Sequence, residues 1–216
     1  MTTRSYLLCG ALTLAALVAA AVAYPYLPPE IPTHWNLRGE VDGHAPASMI
    51  FLVGPGLMAL QMLVFAVLPW LSPKRFEVEA FRGTYLYLMV VLVALSGYLF
   101  GVILASALVP GFPAGRAVFG GVAVLFALAG NVMGRVRRNF FIGVRTPWTL
   151  ASDRVWYATH RVAGKSMVGT ALVALFVLIS GGPVWAACAA LAAGLLVPVV
   201  HSLWLYKRLE RGGAMD

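Results

Sequence analysis

Apolar residues run through this chain in long uninterrupted blocks, not at the spacing of a half-buried helix or strand. Six blocks stand out: residues 6–27, 48–71, 84–109, 116–134, 166–180 and 184–206. A bilayer core of about 30 Å is crossed by about 20 helical residues. Five blocks meet that length, and the fifth in order is short unless residues from Val162 onward join it. Barrel strands would instead alternate in segments of about 10 residues. The pattern predicts an all-α integral membrane protein, a six-transmembrane-helix bundle.

Composition supports the same class. The 216 residues are 61% hydrophobic and 11% charged, with a mean hydropathy of +0.84. A soluble domain averages about 25% charged residues, so this chain has too little charge to cover a water-facing surface. The charges that remain are sorted along the chain. Of the 16 Lys and Arg residues, all but Arg38 and Arg116 fall in segments that six spans place on one side. The positive-inside rule makes that side cytoplasmic and both termini cytoplasmic. The first block is read as a retained anchor, although Arg4 and Ala21-Val22-Ala23 have the look of a signal peptide. Cys9 and Cys188 fall towards opposite ends of their spans, which argues against a disulfide.

Within the spans themselves the eight acidic residues are missing, which weighs against an ion-coupled pump. His201, Gln61 and Asn131 are the main polar groups at depth and are expected to bond neighbouring helices. Pro55 and Pro198 are candidate kinks, and small residues four apart (Gly97/Gly101, Gly130/Gly134, Ala190/Gly194) suit close helix crossings. No H-E-x-x-H, G-x-S-x-G or phosphate loop occurs. The chain is therefore expected to be no enzyme, with no cofactor and no bound metal.

Two polar segments carry more information than loops need. The first outer loop contains Pro28, Pro29, Pro32, His34, Trp35, Asn36, Gly39, Asp42, Gly43 and His44. His34, Asp42 and His44 are metal-type residues, but no pair has a tight metal-site spacing, and a compact ordered loop is the expectation. The second segment is cytoplasmic and runs from Gly134 through Arg138, Asn139, Gly143, Arg145, Thr146, Pro147 and Trp148 to Trp156 and His160. Thr146 can cap a helix with Pro147 at its first position, or Ser152 can cap one with Asp153 there. From Asp153 onward, Arg154, Arg161 and Lys165 share one helical face, and Trp156, His160 and Ala163 share the other. That makes a basic amphipathic segment, expected to lie along the membrane and hold anionic membrane lipids. Direct nucleic-acid binding is not expected.

Taken in order, these segments resemble the SdpI family of bacterial immunity proteins. The outer loop looks like its I-P-x-H-x-N-x-x-G-x-x-D signature through Ile31, Pro32, His34, Asn36, Gly39 and Asp42. The inner segment is similar to R-N-x-x-x-G-x-R-T-P-W-T-L followed by a Trp and T-H-R, through Arg138, Asn139, Gly143, Arg145 to Leu150, Trp156 and Thr159 to Arg161. One departure is His44-Ala45-Pro46-Ala47-Ser48, where many members place a Lys. The resemblance implies a multi-pass protein of the bacterial cytoplasmic membrane that protects its cell from a secreted membrane-active peptide toxin. It also implies a role in sensing that toxin and holding a cytoplasmic repressor protein at the membrane. Two modules are expected, residues 1–73 with the outer loop and residues 84–216 with the inner motif. The ligand or partner surfaces would use Pro32, His34, Asn36, Gly39 and Asp42 outside. Inside, they would use Arg138, Asn139, Gly143, Arg145, Thr146, Pro147, Trp148, Trp156 and His160. The rival readings are a lipid or small-molecule transporter and a membrane-embedded metal-dependent hydrolase.

Overall fold

The computed structural model describes residues 2–72 and 78–213. The expected module junction near residues 74–84 therefore falls partly outside the described residues, as do Lys74, Arg75, Glu77 and Asp216. Six helices are long and apolar enough to cross a membrane. In chain order the elements are α1 (Thr2–Ala23), β1 (Glu30–Trp35), β2 (Val41–Pro46), α2 (Leu57–Leu71) and α3 (Arg82–Leu108). They continue with α4 (Ala114–Met133), the short α5 (Pro147–Ala151), α6 (Asp153–Ile179) and α7 (Val184–Arg211).

Large apolar side chains such as Val18, Leu172, Phe176 and Ile179 point outward, as helices solvated by lipid require. Packing between α4, α6 and α7 uses Ala123, Ala171, Ala174 and Ala187, because association in lipid depends on close backbone approach. Gly130 of α4 and Gly164 of α6 cross so closely that a Cβ on either would press on the other's carbonyl oxygen. Of the small-residue pairs read from the sequence, Gly130 and Gly194 thus sit at crossings, Gly194 against Thr170, while Gly101 faces open space. Bulky core residues are concentrated around α1–α3, where Met58, Tyr85, Met89 and Phe100 are buried.

Two polar groups within the helices are paired across to a neighbour. Gln61 Nε2 of α2 donates to Ser96 Oγ of α3 at 2.9 Å, and Tyr85 of α3 donates its hydroxyl to the Phe65 carbonyl at 2.9 Å. Asn131 is exposed, and His201 Nδ1 is enclosed without a partner among the described residues. Pro55 has no N–H to give. The chain around it widens into a π-helical turn (Leu52–Gly56), with the Leu57 N–H reaching back to the Leu52 carbonyl. Cys9 and Cys188 are both free thiols.

Two expectations need correcting. The outer loop, expected as an ordered loop in an all-α chain, is an antiparallel β-hairpin of β1 and β2, with Ile31 opposite Ala45 and irregular register around His34. Three prolines and the broken alternation hide these strands in the sequence, yet Ile31 and Trp35 still turn inward. The basic amphipathic segment is no separate surface helix. It is the first half of α6, a single helix of 27 residues and about 40 Å that also supplies the short fifth span. Nothing between Lys165 and Ser166 breaks the helix, and the face with Trp156, His160 and Ala163 is fully buried against the bundle.

Candidate functional site

The residues singled out from the sequence gather in two groups at opposite ends of α3. One group is in the hairpin, beyond the end of α3 near Leu108; the other surrounds its start near Arg82. The structure does not bring the two groups together.

In the hairpin, Asn36 builds the turn. Its Oδ1 accepts the backbone N–H of Arg38 at 2.8 Å and of Glu40 at 3.1 Å, and its backbone carbonyl accepts from Gly39 at 2.8 Å. Gly39 closes the turn at φ +81°, a conformation that favours glycine. The turn then lands on the start of α4, where a Cβ on Gly115 would run into the backbone of Gly39. Pro32 is buried in β1. His34 and Asp42 face outward as a pair, Nδ1 to Oδ1 at 2.5 Å, with side chains 72% and 42% exposed. Among the described residues no three His, Cys, Asp or Glu side chains converge as a metal cage, and His44 sits opposite Pro32.

At the other end, the inner motif folds around two buried polar side chains. Asn139 is fully buried and makes four bonds. Nδ2 donates to the carbonyls of Arg137 (2.8 Å) and Ile142 (3.0 Å), and Oδ1 accepts the N–H groups of Phe141 and Ile142, both at 2.7 Å. His160 Nδ1 donates to the Trp156 carbonyl at 2.8 Å, and Nε2 accepts the Val144 N–H at 3.0 Å. These partners set the neutral tautomer with its proton on Nδ1. Gly143, at φ +113°, runs past this ring so closely that a Cβ there would collide with Nε2. Trp156 stacks on His160 with centroids 4.0 Å apart and donates its indole N–H to the Val136 carbonyl at 2.9 Å.

The helix starts follow from local chemistry. Thr146 caps α5 in a reciprocal box with Thr149, and Pro147 takes the first turn. Ser152 caps α6 and Asp153 opens it. Both capping options present in the sequence are used. Arg138 crosses this junction, pairing with Asp153 at 3.0 Å and donating to the Leu150 carbonyl at 3.0 Å. Arg145 is exposed and donates to the Phe140 carbonyl. Trp148 reaches α7, its indole N–H 2.5 Å from Ser202 Oγ.

Sequence reasoning placed Thr149 in the motif without giving it a role and did not single out Ser202. Thr149 is fully buried and donates to the Val144 carbonyl at 2.8 Å. Its place three residues after Thr146 was the available signal; Ser202 had none, being 54 residues from Trp148. Below the motif, Arg82, Arg135, Arg137 and Tyr157 line a basic cavity of about 700 Å³ that Glu79 also borders.

Comparison with known proteins finds two matching regions. Residues 135–202 match the SdpI/YfhL protein family, and residues 11–59 match a domain of unknown function, DUF1648. A curated relative, "Immunity protein SdpI" of Bacillus subtilis (strain 168), is 28% identical, with 70% of each chain covered. No solved structure matches this chain. The 135–202 match begins just before the buried Asn139 and ends at Ser202, the partner of Trp148, so it spans the folded motif with both of its helical supports. On that match and the SdpI relative, this multi-pass membrane protein is similar to the SdpI/YfhL family over residues 135–202.

Proposed function

We propose that this chain is a membrane immunity protein that protects its cell from a secreted membrane-active peptide toxin, as a binding protein and not an enzyme. The observation that carries the reading is the inner motif. Its polar residues are consumed in holding one tight structure between α4, α6 and α7, with no nucleophile–base pair among them, and the motif lies within the region similar to the SdpI/YfhL family. The orientation that follows from the basic residues places the hairpin outside the cytoplasmic membrane. There the exposed His34–Asp42 pair and Arg38 offer a polar surface to an arriving peptide. The basic cavity and exposed Arg145 face the cytoplasm and suit an acidic patch on a repressor protein.

Survival of a toxin-sensitive bacterial host across a titration of the SDP-type peptide tests this reading, with membrane insertion matched by immunoblot. The chain is expected to raise the lethal dose, and joint replacement of His34, Asp42 and Arg145 is expected to lower it again. An unchanged lethal dose with correctly inserted protein would sink the immunity reading. A wild-type lethal dose in the triple variant would sink the site assignment alone.

A further inference from the structure

A cavity of about 360 Å³ lies between the hairpin turn and the first turns of α4 and α7. Its donors are unusually concentrated. Both helices start after a proline, Pro113 and Pro183, and neither start is capped by a side chain. The first N–H groups of a helix have no partner within it, and the helix dipole places partial positive charge there. Arg116 and Arg38 line the same space. Arg116 donates to the Leu178 and Gly181 carbonyls at 2.9 and 3.0 Å, which neutralises no charge. Arg38 pairs with Glu40 at 3.1 Å, and Glu40 is not part of the wall.

A second observation is independent of the helix ends. Trp35 lines the cavity and is 9% exposed, and its enclosed indole N–H has no acceptor among the described residues. A buried donor left without a partner costs about 1–3 kcal/mol. Two helix starts, two guanidinium groups and one unanswered N–H, with no carboxylate among the lining residues, call for an oxyanion.

We propose that this cavity binds the phosphate of an anionic phospholipid. The site lies where two helices long and apolar enough to cross a membrane begin, which is where a headgroup would meet them. Phe112, Val184 and Trp185 form its apolar side, as aromatic and apolar groups do at the membrane–water boundary. A lipid phosphate is held at that depth already, whereas a soluble anion has to be drawn there. The assignment stands apart from the immunity reading.

The full chain, purified in detergent, is titrated with phosphatidylglycerol and with phosphatidylcholine and read by native mass spectrometry. One phosphatidylglycerol is expected to bind more tightly than phosphatidylcholine. Trp35→Phe removes the donor and keeps the ring; Arg38→Gln removes an exposed charge that the fold does not need. At about 1 kcal/mol for a basic residue near a lipid headgroup, the Arg38→Gln variant should lose about fivefold in affinity for that lipid. Trp35→Phe should also weaken it, and Arg211→Gln, at the far end of α7, should leave it unchanged. Thermal unfolding identifies any misfolded variant; if Trp35→Phe is one, Arg38→Gln decides. Equal binding of the two lipids, or wild-type affinity in the folded variants, overturns the proposal. Displacement of the lipid by millimolar inorganic phosphate marks a free-anion site and also overturns it. So does displacement by a short peptide acid but not by its amide.

Discussion

Asn139 shows what a single side chain does in the inner motif. Four hydrogen bonds from one buried amide replace the regular structure that residues 137–142 lack. Truncating it leaves the N–H groups of Phe141 and Ile142, both half-buried, without acceptors, at about 1 kcal/mol or more each. Asn139→Ala is therefore expected to lower the thermal unfolding midpoint in detergent, corresponding to a loss of about 2 kcal/mol or more. Asn139→Asp keeps both accepted bonds and should fall in between. The importance of Asn139 was legible in the sequence, through its place in a dense run of unlike residues. Its role was not, because its partners are backbone groups whose positions depend on the turn that it makes. His160 was legible as part of an apolar face, but its bond to Val144 depends on a chain reversal that no periodicity reports.

The elements differ in how clearly the sequence announces them. Six long helices were legible because lipid demands long apolar blocks, and their caps at Thr146 and Ser152 because capping is local. The hairpin was not legible, since what holds it comes from elsewhere. Its turn rests on Gly115, 76 residues after Gly39. Gly115→Ala is expected to lift the turn off α4 while leaving the helices intact. Hydrogen exchange should then rise in residues 30–46 and stay low in α3 and α6. Unchanged protection of the hairpin would mean that its seat is elsewhere. The join between the basic segment and the fifth span was hidden for a different reason. The change from charged to apolar composition near Ser166 looks like a boundary, but one continuous helix runs through it.

For the whole molecule, the arrangement of charge gives the most direct prediction. Single cysteines in place of Leu37 and Arg135, in a chain whose Cys9 and Cys188 are changed to Ala, should react oppositely with a membrane-impermeant maleimide added to intact cells. Position 37 should be labelled and position 135 protected until the membrane is opened. The reverse result would invert the bundle and move the proposed toxin-facing surface to the cytoplasm. The two core regions also differ. Alanines line much of the packing of α4, α6 and α7, whereas the core around α3 is closed by larger groups such as Tyr85 and Met89.

The seat of the hairpin also has a consequence for biosynthesis. The Gly39 turn leaves the ribosome before either of its supports exists. At about 5–20 residues per second, Gly115 follows after about 4–15 s, and Val184 later still. During that interval the hairpin has been made and its seat has not. With the orientation proposed from the basic residues, a gene split near residues 74–84 is expected to produce an N-terminal half whose hairpin is digested by external protease. Co-expression of the second half should restore protection, because that half carries the surface on which the hairpin comes to rest.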